Sequence, residues 1–136
     1  MRPILLDTNA YTVFMLGDAA VVEVVAHAER LCLNSVVLGE LLGGFAAGTR
    51  EQKNRAELAR FVGSARVEVL PITVQTADSY ALIYAGLRRR GQPIPTNDLW
   101  IAASALEHGA ALLTRDAHFS KIDNLRCGQR LEDFLP

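Results

Sequence analysis

Short apolar runs that alternate with longer helical patterns predict an α/β fold: a mostly parallel sheet of four to five strands with helices on both faces. Two further observations support that class. The apolar runs are continuous rather than alternating, as in strands buried on both faces, and most are closed at once by a turn or a helix-capping residue. At 136 residues, half of them apolar and 21% charged, the chain has room and composition for a single globular domain, residues 1–136. No internal repeat, low-complexity tract or long linker divides it.

Ile4-Leu5-Leu6 reads as a buried strand that stops at Asp7-Thr8-Asn9, whose side chains suit a helix start. Two helical stretches follow, the second with Val21, Val25 and Ala28 on one face, although valines equally suit a strand. Leu31-Cys32-Leu33 is a second strand, and Asn34 or Ser35 can cap the helix that runs through Glu40. Thr49 and Gln52 fit a capping box, with Leu58, Phe61 and Val62 as the buried face of the next helix. Val67 to Leu70 is a third strand closed by Pro71. A long helix from Val74 to Arg90 carries Ala77, Tyr80, Tyr84 and Leu87 as one stripe and ends at Gly91. Pro93-Ile94-Pro95 is extended. Thr96 or Asn97 then starts a helix through Leu106 that is apolar nearly all round, hence buried on most sides. Gly109 ends it, Ala111-Leu112-Leu113 is a fourth strand, and the tail after Asn124 can supply one last edge strand.

Fourteen basic against fifteen acidic residues give a net charge of −1, which excludes a uniformly basic nucleic-acid coat but not a local basic patch. Cys32 and Cys127 lack the spacing of a zinc site or disulfide framework and read as reduced cysteines. Only a three-residue apolar run, Ile4-Leu5-Leu6, precedes Asp7, and no apolar stretch is long enough to span a bilayer. The expectation is a soluble, cytoplasmic protein with no membrane partner.

In a parallel sheet with right-handed crossovers, the C-terminal ends of the strands open on one edge, where ligands bind. Here that edge is acidic. Asp7 follows the first strand, Glu40 lies one and a half turns into the helix after the second, Asp98 opens the buried helix, and Asp116 follows the fourth strand. Asp7, Asp98 and Asp116 can each be explained as a helix cap or turn residue. Glu40, among Val36, Val37, Leu38, Leu41 and Leu42, is expected on a dry helix, where a charge needs solvent, a partner or a metal. Four converging carboxylates repel one another unless a cation relieves them, and Mg²⁺ or Mn²⁺ prefers such oxygen ligands.

Leu5-Leu6-Asp7-Thr8-Asn9, Ser35 through Glu40-Leu41, Pro95-Thr96-Asn97-Asp98-Leu99-Trp100, and Leu112-Leu113-Thr114-Arg115-Asp116 with His118-Phe119 together resemble the PIN domain. More narrowly, they resemble the toxin nuclease of a VapBC toxin–antitoxin pair. The resemblance covers essentially the whole chain. It implies an endoribonuclease dependent on Mg²⁺, with Mn²⁺ as a substitute, that hydrolyses RNA with one or two ions and leaves a 5′-phosphate. It also implies a homodimer held inactive by a VapB-type antitoxin. Asp7 and Asp98 would be the principal metal ligands, with Glu40 and Asp116 completing the site directly or through water. Thr8, Asn9, Asn97 and Thr114 would orient those carboxylates by hydrogen bonds. Whether transfer, ribosomal or messenger RNA is cut is not legible.

Two basic clusters stand out. Arg50, Lys53, Arg55, Arg60 and Arg66 face only Glu51 and Glu57 in their segment, and read either as a solvated helix face with a Glu51–Arg55 pair or as phosphate contacts. Arg88, Arg89 and Arg90 complement a helix C-terminus or contact RNA. Arg115 is positioned to meet substrate or pair with an acid. His27, His108 and His118 lack metal-ligand spacing and are expected to be structural. Tyr80, Tyr84 and Trp100 read as core. The segments Val21 to Val25 and Gly43 to Phe45 are apolar enough for core, dimer or antitoxin contact. The competing functions are a PIN-fold nuclease of other structured nucleic acids and a non-enzymatic Mg²⁺-binding receiver-like switch. The switch wants an acidic pair after the first strand, where this chain has Asp7-Thr8-Asn9.

Overall fold

A computed structural model describes all residues, 1–136. Five strands form one wholly parallel sheet: β1 (Ile4–Leu6), β2 (Leu31–Asn34), β3 (Val67–Leu70), β4 (Ala111–Leu113) and β5 (Cys127–Gly128), in the spatial order β3-β2-β1-β4-β5. Six α-helices connect them: α1 (Thr8–Met15), α2 (Ala19–His27), α3 (Ser35–Ala47), α4 (Glu51–Val62), α5 (Val74–Arg89) and α6 (Thr96–Glu107). Two short 3-10 turns, Ala117–Lys121 and Leu131–Asp133, flank β5.

The strand order determines where a site can form. The chain steps outward from β1 through β2 to β3, then crosses back over β1 to lay down β4 on its other side. Right-handed crossovers therefore place α1–α4 on one face and α5–α6 on the other. The direction reverses between β1 and β4, and the crevice at their C-terminal ends is the switch point where ligands bind in such sheets. Asp7 and Thr114 are the first residues beyond those two strands.

The pattern of burial follows this order. Every residue of β1, β2 and β4 is buried, whereas the edge strands β3 and β5 are only partly covered. Ala110 and the strand residues Leu5, Leu6, Leu33, Leu112 and Leu113 join Ile101, Ala102 and Phe119 in one continuous core. Helix α6 buries Leu99 and every residue from Ile101 to Ala105, as its apolar composition predicts. Gly91 and Gly109 end their helices with φ of +65° and +64°, the left-handed conformation that disfavours other residues.

Several local expectations differ from the structure. No Thr49–Gln52 capping box forms; α4 begins after Arg50, which makes no side-chain cap bond. The box sits instead at Thr73–Thr76, at the start of α5. On that helix the inward stripe is Thr76, Ile83 and Leu87 with Tyr80 half-buried, while Ala77 and Tyr84 face out. Helix wins over strand for the valine-rich segment, and Val21, Val24 and Val25 are core. Gly43 and Gly44 are exposed, with Phe45 half-buried against the core. Both cysteines are free thiols, and burial pushes the Cys32 thiol up to about 11. No single helix is long and apolar enough to cross a membrane.

Candidate metal-dependent nuclease site

Asp7 is buried immediately beyond β1, and its two oxygens have separate partners. Oδ1 accepts from the Ala10 backbone N–H at 2.8 Å, which caps α1. Oδ2 accepts from Thr114 Oγ1 at 2.5 Å, from the end of β4. Thr114 Oγ1 in turn accepts the Asp116 N–H at 3.0 Å, so one buried hydroxyl links the acids that follow β1 and β4. The cap and the functional reading of Asp7 are therefore not alternatives. Burial pushes its carboxyl above the ordinary carboxylate range; the Thr114 and Ala10 bonds oppose that rise, and the Asp98 and Asp116 charges add to it.

Glu40 is exposed, contrary to the dry helix expected of its neighbours. Val37 and Leu41 point inward, and the helical period turns Glu40 to the wet face of α3. Its position is nonetheless defined: Oε1 accepts from Thr8 Oγ1 at 2.5 Å and Oε2 from Asn97 Nδ2 at 3.2 Å. Asp98 stands in the first turn of α6, where the helix dipole favours a carboxylate. Burial raises its carboxyl as well, with the His118 hydrogen bond and charge opposing and Asp116 and Glu40 reinforcing the shift.

His118, expected to be structural only, is the residue that sequence reasoning missed. Its Nε2 lies 2.6 Å from Asp98 Oδ2, and its Nδ1 lies 2.9 Å from Asp116 Oδ1. The imidazole thus bridges two of the acids, and these three side chains can converge on one ion. The signal for it was the Asp116-x-His118 turn, which brings both side chains to the same rim. His27 and His108, by contrast, bond only near their own helix ends.

Asp7, Thr8, Asn9, Glu40, Asp98, Arg115 and Asp116 line one open cleft of about 330 Å³. Asn9 lines it without hydrogen-bonding any of the acids, unlike Thr8, Asn97 and Thr114. Arg115 lines the cleft but pairs with Asp18 at 3.2 Å and makes no ion pair with any of the four carboxylates. The basic clusters are separate from this cleft. Arg90 is tied to Asp123 at 2.9 Å, Arg88 lies 5.9 Å above the Tyr84 ring, and Arg89 has no carboxylate partner. Arg55 makes the expected pair with Glu51, and Arg66 donates to the carbonyls of Val25 and Ala28 at the end of α2. Tyr80 stacks on Trp100 at 4.2 Å and on Tyr84 at 6.2 Å, and only Tyr84 of the three is largely exposed.

The family model of the PIN domain matches residues 4–125, which include all four acids and His118. The chain belongs to the PIN domain family. Within it, the chain is 33% identical over 129 residues to Ribonuclease VapC1 of Haemophilus influenzae, covering 90% of this chain and 93% of that one. It is 31% identical to the tRNA(fMet)-specific endonuclease VapC of Salmonella typhimurium, over 74% of this chain and 75% of the relative. A solved structure of DNA-bound VapBC from Salmonella typhimurium superposes with a TM-score of 0.82 at 28% identity, over 94% of this chain and 98% of that one. This PIN domain is thus a ribonuclease of the VapC type, and ribonucleases of this family are metal-dependent.

The residues present fit that requirement. Buried Asp7 and half-buried Asp98, both raised chiefly by burial and further by neighbouring acids, share the cleft with exposed Glu40 and Asp116, an excess of negative charge that a cation relieves. Their donors are almost all hard oxygens, as Mg²⁺ and Mn²⁺ prefer.

Proposed function

We propose that the acidic cleft holds Mg²⁺, with Mn²⁺ as a substitute, and that the chain uses it to hydrolyse RNA as the toxin of a type II toxin–antitoxin pair. The observation that carries this reading is the convergence of Asp7, Glu40, Asp98 and Asp116 on one cleft at the β1/β4 switch point, where the one lining arginine, Arg115, pairs with Asp18 instead of with any of them. Asp7 and Asp98 would hold the ion, with Glu40 and Asp116 beside it. When bound, a divalent cation supplies the charge that attracts a phosphodiester and acidifies water.

The chain's own residues set the geometry. Thr114 fixes Asp7 relative to Asp116, and His118 fixes Asp116 relative to Asp98. Thr8 and Asn97 hold one oxygen each of Glu40, leaving each a lone pair for a water or its proton. Water adds to phosphorus and the P–O3′ bond breaks, so the products carry a 5′-phosphate and a 3′-hydroxyl. Arg88 and Arg89, free of carboxylate partners, would meet phosphates away from the cut. Relatives solved as VapBC complexes support an antitoxin partner, and the toxin itself would act as a homodimer. Acting on cellular RNA, the chain would work in the cytoplasm.

The test is cleavage of total cellular RNA by antitoxin-free wild-type and Asp98→Asn protein, with Mg²⁺, Mn²⁺ or EDTA, and mapping of the product ends. Discrete cuts with 5′-phosphates, absent from the mutant and from EDTA, are expected. Equal cutting by both proteins in EDTA would refute the acidic-site mechanism.

A further inference from the structure

Asn34 ends β2, caps α3 and is wholly buried. Its Oδ1 accepts from the Val37 N–H at 2.9 Å, which is all that capping requires. Serine, threonine or aspartate would supply that oxygen as well. Asparagine adds an amide nitrogen, and both of its hydrogens go to a helix some seventy residues away. Nδ2 donates to Ser104 Oγ at 2.9 Å and to Trp100 O at 3.2 Å, both on α6. The reversed amide would set an NH₂ group against the Val37 N–H, so the bonding partners determine its orientation.

The two helices joined here are those that carry the acids contributed by helices. Glu40 lies six residues beyond Asn34 on α3, and Asp98 lies two and six residues before Trp100 and Ser104 on α6. At 1.5 Å rise per residue, each acid is within roughly 10 Å of the tie along its own helix. A second link between the helices, Asn97 Nδ2 to Glu40 Oε2, joins exposed residues at the rim, where water competes for both groups. The Asn34 link has no such competitor, since Asn34 and Ser104 are both wholly buried.

We propose that Asn34 is a positioning residue: by bracing α3 against α6 from beneath, it sets the separation of Glu40 and Asp98 and so the divalent-cation affinity of the cleft. The inference rests on the cation-site reading given above. A brace of this kind acts on ligand geometry, and displacing ligands by about half an ångström is enough to weaken a metal site.

The test is titration of Mn²⁺ into wild-type, Asn34→Ser and Ser104→Ala proteins, followed by the paramagnetic resonance of the free ion, with thermal melts of the same samples. Asn34→Ser retains the cap oxygen but cannot reach α6, and its Mn²⁺ affinity is expected to fall about tenfold. Ser104→Ala, which removes one acceptor, is expected to fall less in the same direction. A purely structural Asn34 would lower the melting temperature and leave the Mn²⁺ affinity of folded protein unchanged, and that result overturns the inference. Should Asn34→Ser not fold, unchanged affinity in Ser104→Ala overturns it equally. Wild-type protein that binds no Mn²⁺ would remove the cation site itself and the inference with it. Normal wild-type binding with unaltered variants would remove the inference alone.

Discussion

The two charged regions of this molecule are built in opposite ways. At the C-terminal edge of the sheet, three of the acids are held by groups from distant parts of the chain, Asp7 by Thr114, Glu40 by Thr8 and Asn97, and Asp98 by His118, which also holds its near neighbour Asp116. At the end of α5, Arg90 is tied across to Asp123, but the other two arginines have a local partner or none. Arg88 folds over Tyr84 one turn back, and Arg89 is free. The difference teaches what each region can do. Chemistry on a phosphodiester needs charges whose separation is set before the substrate arrives. Capture of a flexible polyanion needs reach and charge, which mobile surface arginines supply without being fixed.

The comparison can be broken most directly at Asp98. Asp98→Asn retains shape and a hydrogen-bonding partner for His118 but removes a charge, and RNA cleavage in Mg²⁺ is expected to fall at least about a hundredfold in initial-rate assays. Thr114→Val tests whether the ties matter as much as the acids. Removing the hydroxyl strands the Asp7 carboxylate and the Asp116 N–H, so urea melts of metal-free protein are expected to show a loss of about 1–3 kcal/mol. Mn²⁺ affinity should fall about tenfold in parallel.

The pH dependence of stability is a subtler test. Asp7 and Asp98 have folded-state pKa values raised above those of the unfolded chain, chiefly by burial. The folded state therefore holds more protons, and stability falls as pH rises from the ordinary carboxylate pKa through the raised values. Their contribution is complete below the unfolded pKa and lost above the folded one. Thermal melts in EDTA should show this decline, and Mg²⁺ at neutral pH should reverse it by taking the place of the protons. Arg89→Ala is expected to have the smallest effect. The slope of log binding affinity against log salt should become shallower by about 1, with cleavage at saturating RNA unchanged.

How legible this was in the sequence depended on distance along the chain. The strands and the acids Asp7, Asp98 and Asp116 are legible because each lies within two or three residues of a strand end or helix start, where local patterns apply. The Asn34 cap is equally local, whereas its bonds to Trp100 and Ser104 are not. His118 escaped for the same reason: its spacing to Asp98 spans β4 and a turn, and only the fold closes it to 2.6 Å. Apolar residues surround Glu40 in sequence and predict a dry position, but α3 packs by the one face that carries Val37 and Leu41, and Glu40 falls outside it. On α5 the expected and observed stripes share Tyr80 and Leu87, and apolar residues on several faces left the rotation undetermined.

The measurement that tests the central claim most directly is calorimetric titration of Mn²⁺ into metal-free wild-type and Asp98→Asn protein at neutral pH. Saturable binding by the wild type, lost or greatly weakened in the folded mutant, is the predicted result. Indistinguishable isotherms from the two folded proteins would contradict the assignment of the acidic cleft as the metal site.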